Sequence, residues 1–150
     1  RQGMSYEYRE GYLYLAIYGQ KKVIIRPHFA MKPVFYEANS LVRENSRQMS
    51  LVCGPLVYCL EEVDNGAQQH MLYASPEAVE QAETYTLPFL GREAVGYQFA
   101  GFRKKANTVS DPLYHKAERE EYQPVTLKWI PYFAWANREE GEMRVWIYKK

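Results

Sequence analysis

The side chains able to do chemistry in this chain are three histidines, two cysteines, two aspartates and sixteen glutamates. His28, His70 and His115 stand 42 and 45 residues apart, none with a second His, Cys or Asp at a metal-ligand spacing. Each reads as a surface or packed residue, and neither a metal nor another cofactor is expected. Hydrolysis by a paired acid and base needs two carboxylates across one cleft, roughly 5 to 9.5 Å apart. Asp64 falls in a turn-like segment and Asp111 in a Pro-containing loop, while most glutamates sit in charge-mixed runs such as Glu118-Arg119-Glu120-Glu121. Glu61 and Glu62 are neighbours on a strand and point to opposite faces, so at most one is buried. Either could be paired with Glu142 in a β-scaffold active site, but nothing in the spacing supports one, and no catalytic residue is assigned. Nucleophile elbows and Cys-x-x-Cys motifs are absent, and Gly96-x4-Gly101 lacks the Lys-Ser/Thr of a phosphate loop. Cys53 and Cys59 have Leu, Val, Tyr and Pro for neighbours, which marks them as buried free thiols.

The most distinctive chemical feature is the aromatic run Trp129-Ile130-Pro131-Tyr132-Phe133-Ala134-Trp135. Strand alternation puts Trp129, Phe133 and Trp135 on one face and Ile130, Tyr132 and Ala134 on the other. Both faces are apolar, so the strand is expected to be buried on both. Trp129, Tyr132, Trp135 and Arg138 are the candidate surface, either for packing against another domain or for stacking on a sugar ring.

The elements that position these residues are almost all strands. Tyr6, Tyr8, Tyr12, Tyr14 and Tyr18 interleave with Glu7, Leu13, Leu15 and Ile17 in period-two segments broken at Glu10-Gly11 and Gly19-Gln20. Lys21 to Phe29 reads as a third strand. The polar stretch from Ala38 to Gln48 marks a boundary, giving residues 1–37 as terminal strands of one sheet and 38–150 as a second domain. Met49 to Cys53, Pro55 to Glu62 and Gln69 to Ala74 follow as strands, with Asp64-Asn65-Gly66 as a hairpin turn. Pro76 to Ala82 reads as a short helix with Ser75 as its N-cap. Val95 to Phe102 is a strand with close backbone approaches at Gly96 and Gly101, and Lys104 to Gln123 is a surface excursion. Val125 to Ala136 and Glu142 to Tyr148 close the chain as a hairpin across residues 137–141.

Composition agrees with this. Fourteen Tyr, six Phe and three Trp favour strands and sandwich cores. Nineteen Lys+Arg against eighteen Asp+Glu leave a net charge of +1, so no long-range field favours nucleic acid or an anionic membrane, and neither is an expected partner. The longest apolar stretches are far too short to span a bilayer as a helix. A chain of this length buries roughly two-thirds of its unfolded surface, enough without staples for one ordinary core or for two small ones sharing an interface. It begins Arg1-Gln2-Gly3, and the expectation is a piece of a longer polypeptide located in the cytoplasm.

At Cys53-Gly-Pro-Leu-Val-Tyr-Cys-Leu-Glu-Glu-Val-Asp-Asn65, and again at Ile130-Pro-Tyr-Phe-Ala-Trp-Ala-Asn-Arg138 followed by Gly141-Glu-Met-Arg-Val-Trp146, the sequence resembles glycoside hydrolase family 127. This is the β-L-arabinofuranosidase-like family. The stretches Gly11-Tyr-Leu-Tyr14, Val23-Ile-Ile-Arg-Pro and Val42-Arg-Glu44 follow the same order. The resemblance implies a bacterial enzyme whose (α/α)6 barrel carries a cysteine nucleophile, a glutamate acid/base and a cysteine-rich zinc site, followed by two β-sandwiches. None of the barrel's motifs has a counterpart here, so zinc is expected only in the barrel. The expected fold is all-β, an antiparallel, jelly-roll-like β-sandwich preceded by the last strands of another. The expected role is a non-catalytic accessory region whose partners are the barrel of its own parent chain and a second copy in a homodimer. The alternative is a carbohydrate-binding module.

Overall fold

The structure, a computed structural model, describes residues 4–19, 22–89 and 91–150. Two compact units divide the chain, Arg1–Ala30 and Met31–Lys150. In the first, strands β1 (Met4–Arg9) and β2 (Tyr12–Ile17) form an antiparallel ladder. Glu10 and Gly11 both take positive φ, 51° and 82°, as a two-residue hairpin turn requires. The register places Met4, Tyr6 and Tyr8 opposite Ile17, Leu15 and Leu13, so one face of the ladder is wholly apolar. The expected turn at Gly19-Gln20 and the start of the expected strand at Lys21 run into residues 20 and 21, which lie outside the described residues. From 22 to 32 the backbone forms no strand, a departure from the expectation. Pro27 lies within this stretch and Pro33 follows it, and neither can donate to a ladder.

The second unit contains β3 (Pro33–Glu37), β4 (Gln48–Cys53), β5 (Leu56–Glu61), the helical turn α1 (Glu62–Asn65), β6 (Leu72–Ala74), β7 (Glu83–Phe89), β8 (Arg92–Lys104), β9 (Tyr122–Pro131), β10 (Met143–Arg144) and β11 (Trp146–Lys149). Among the described residues, β5, β9, β8, β6, β11 and β4 pair in that order and β4 returns to β5, so the sheet closes on itself. Its ladders are antiparallel apart from β6 with β11. Strand β3 extends the sheet beyond β4, β10 shares an edge of β5, and β7 lies along the first half of β8. β3 lies on the N-terminal side of the expected boundary at 37/38, yet it pairs along β4 within the second unit.

Closure of the circuit explains the core. Each of its strands turns alternate residues inward: Met49, Leu51 and Cys53, Tyr58 and Leu60, Leu72 and Ala74, Tyr97 and Phe99, Leu127 and Trp129, and Ile147 all join one buried cluster. Phe35 from β3 meets Phe99 and Trp129 edge-on, at 5.7 and 5.8 Å between ring centroids. The fold is all-β, as expected of a sandwich whose two inner faces meet in a single apolar interior. Among the described residues no helix is long and apolar enough to cross a membrane.

Several local expectations fail for reasons of tertiary pairing. Asp64-Asn65-Gly66 is not a hairpin: residues 62–65 make a helical turn that Gly66, at φ 75°, terminates. Gln69 to Ala74 is strand only over its last three residues, because Gln68 is left-handed and residues 69–71 form a 3-10 turn. The segment after Ser75 is likewise a 3-10 helix, and Ser75 makes no side-chain cap. The closing hairpin is absent too. β10 pairs with β5, whereas β11 pairs with β4 and β6. Strand β7, which lies between two segments read from the sequence, pairs with β8 along its whole length.

Candidate functional site

The aromatic run begins inside the core and ends on the surface. Trp129 is 0% exposed and stacks at 6.0 Å from Phe99, which removes it from the candidate surface. Ile130 on the opposite face is also fully buried, so β9 is covered on both sides here, as its two apolar faces predicted. Alternation stops at Pro131. Residues 132–134 form a 3-10 turn, so Tyr132 and Trp135, expected on opposite faces, come together with ring centroids 6.0 Å apart at 29°. They are 46% and 40% exposed. Beneath them Ala134 joins a second buried cluster with Cys59, Leu87, Ala94 and Ile130, on the outer face of the β5–β9 ladder.

Polar side chains pin this knuckle. Glu61, at the end of β5, points away from the main core and is nonetheless only 4% exposed. One of its oxygens accepts the backbone N–H of Ala136 at 2.9 Å. The other accepts both Nε and Nη2 of Arg138, the former at 3.0 Å. Nη2 also reaches Asp64 at 2.5 Å. Asp64 first and Glu61 after it hold the guanidinium charged far above any accessible pH. Asn137 donates to the carbonyls of Ala134 and Trp135, at 3.2 and 2.8 Å, closing the turn from its own side. Burial first, then the charge of Asp64, push the hydroxyl of Tyr85 far up; it donates to the Trp129 carbonyl at 3.3 Å.

The other two candidate acids, Glu62 and Glu142, accept backbone N–H groups. Glu142 accepts the N–H groups of Gln68 and Gln69 at 2.9 and 2.8 Å, and these bonds hold its carboxyl below the usual carboxylate range. Glu62, half-buried where Glu61 is buried, accepts the N–H of Glu142 at 2.8 Å. Asn65 is the residue whose role the sequence misassigned. Its side chain donates to the carbonyls of Glu61 and Lys128 and accepts the N–H of Lys128, standing in for a strand partner. No local signal could reveal this, since Lys128 is 63 residues away.

Cys53 and Cys59 are buried free thiols. Cys53 lies in the main core, 3.3 Å from the Tyr97 hydroxyl, and Cys59 lies in the second cluster. Burial, and after it Glu61, push the Cys59 thiol up to about 12, so it is protonated and poorly nucleophilic at neutral pH. His28, His70 and His115 are all exposed. Among the described residues no three His, Cys, Asp or Glu side chains gather as a metal site, and two thiols in separate clusters do not fit the cysteine-rich zinc centre of the resembled barrel.

Fold and site together define an all-β sandwich domain with an aromatic core and an ion-pinned aromatic knuckle. Residues 33–148 match the family model described as the glycoside hydrolase family 127 C-terminal domain, and the chain belongs to that family. The non-reducing end beta-L-arabinofuranosidase of Bifidobacterium longum subsp. longum is 34% identical over 139 residues, covering 91% of this chain and 21% of that protein. A crystal structure of a GH127 beta-L-arabinofuranosidase from Geobacillus stearothermophilus T6 is similar with a TM-score of 0.79 at 32% identity, covering 95% of this chain and 22% of the other. A structure described as a glycoside hydrolase gives a TM-score of 0.76 at 25% identity, covering 97% of this chain and 24% of the other. The chain therefore spans about a fifth of the length of these relatives.

Proposed function

We propose that this chain is a non-catalytic, structural region of a bacterial glycoside hydrolase of the β-L-arabinofuranosidase-like kind, packing on a catalytic barrel carried elsewhere in the parent polypeptide. The observation that carries this reading is the engagement of the three acids a β-scaffold active site would recruit. Glu61 is held by Arg138 and the Ala136 N–H, Glu62 by the Glu142 N–H, and Glu142 by two further N–H groups. An acid/base pair must instead face a shared cleft with room for substrate or water. The β1–β2 ladder supports the same reading. An isolated two-stranded hairpin is marginal in water, and the apolar face bearing Met4, Tyr6, Tyr8, Leu13, Leu15 and Ile17 suits a preceding sandwich as its cover. The 150-residue chain is expected to release no p-nitrophenol from an aryl L-arabinofuranoside. A rate above background would reject the proposal.

A second reading, a carbohydrate-binding module, is favoured by the half-exposed rings of Tyr132 and Trp135. Calorimetric titration with arabinose oligosaccharides separates the two. Heat of binding with a change in Trp fluorescence supports the module, and neither signal disposes of it.

A further inference from the structure

We propose that Tyr132 and Trp135 are the anchor of a protein interface whose occupant is the remainder of the parent polypeptide; this rests on the accessory reading and names the surface through which the domain docks. The outer face of an antiparallel sandwich ordinarily meets water. Here the outer face of β5 and β9 carries Cys59 and Ile130, both fully buried, with Ala134 over them and the two aromatic rings raised above. The rings are held in place. Glu61 fixes the Ala136 N–H, Asn137 closes the carbonyls of Ala134 and Trp135, and Arg138 ties the segment to Glu61 and Asp64. Preorganised Trp and Tyr side chains lose little entropy on docking, which is why interface energy concentrates in them.

The same bonds argue for protein rather than sugar. Asn137 spends its amide donor on the carbonyls of Ala134 and Trp135, and Arg138 spends Nε and Nη2 on Glu61 and Asp64, whereas a sugar ring on an aromatic platform needs uncommitted polar groups for its hydroxyls. The relatives match nearly all of this chain with only about a fifth of their own length, so a partner joined in the same polypeptide is present at high effective concentration.

Hydroxyl-radical footprinting tests this on unaltered protein. In the 150-residue chain Tyr132 and Trp135 oxidise readily. In the full parent polypeptide their oxidation falls by about fivefold, as for side chains moved into an interface core, at every protein concentration. Equal oxidation in both overturns the proposal. Protection of the isolated chain that grows with its own concentration assigns the surface to a second copy, and protection by arabinose oligosaccharides assigns it to sugar; either result overturns it. Hydrolase activity in the isolated chain would remove the accessory reading while leaving the footprint untouched, so the two failures are told apart.

Discussion

The guanidinium of Arg138 stands between two carboxylates that the fold has taken largely out of water, Glu61 and Asp64. Replacing it by the apolar Met leaves both acids without their cation. Arg138→Met is expected to lower stability by about 2–4 kcal/mol, somewhat less than for breaking a fully buried pair because the guanidinium is partly exposed, read from urea midpoints. Lys105→Met removes an exposed pair with Glu121 and is expected to match the parent chain within error. Glu142 adds a pH-dependent contribution. Its folded pKa lies below the ordinary carboxylate value, so its stabilisation is complete above that value and is lost as pH falls through the folded pKa. Glu142→Gln should therefore be less stable than the parent chain at neutral pH, with the difference shrinking as pH falls below the ordinary carboxylate range and through the lowered folded pKa. Equal stability of the two at neutral pH would refute that role. Arg138, Tyr132 and Trp135 were legible as surface candidates from the aromatic run, but the partner of Arg138 was not, because Glu61 is 77 residues away.

At the level of elements, β8 shows what an empty side-chain position is for. A Cβ on Gly101 would lie 2.4 Å from Leu127 and 2.9 Å from the Tyr73 carbonyl, and one on Gly96 would lie 2.5 Å from Tyr85 and 2.8 Å from the Trp129 carbonyl. Gly101→Ala is expected to cost about 1–3 kcal/mol, as for overpacked cores, measured by thermal or urea unfolding. The sequence announced both close approaches without naming the approaching strand. Turns followed the same division. Glu10-Gly11 and Gly54 close the β1–β2 and β4–β5 hairpins because their positive φ is a local demand. Gly66 meets the same demand at 75°, yet it ends the helical turn of residues 62–65 instead of closing a hairpin, because Asn65 finds Lys128 and Glu142 finds Gln68 and Gln69. Alternation likewise identified β9 but not its end, since the 3-10 turn after Pro131 follows from the knuckle's tertiary bonds.

For the whole molecule, the division at residues 30/31 has a measurable consequence. A chain of residues 31–150 retains every strand of the closed circuit together with β3, and is expected to unfold in one cooperative transition. Starting at residue 38, the polar boundary read from the sequence, deletes β3 and withdraws Phe35 from Phe99 and Trp129. That shorter chain should lose a further 2–4 kcal/mol or so, the order of truncating a core aromatic. Equal midpoints for the two chains would place the boundary at 38 after all.

Period-two patterning and aromatic content were enough to announce an all-β chain with two buried thiols, because those signals depend only on which face of a strand each residue occupies. Quoted motifs carried the family resemblance for the same local reason. Which strands closed the circuit, which acid received Arg138, and how Tyr132 met Trp135 were settled only in three dimensions. Each depends on groups far apart in the chain finding one another. The free energy of such meetings comes from desolvation and hydrogen-bond satisfaction at the meeting point, and neither is written in any one segment.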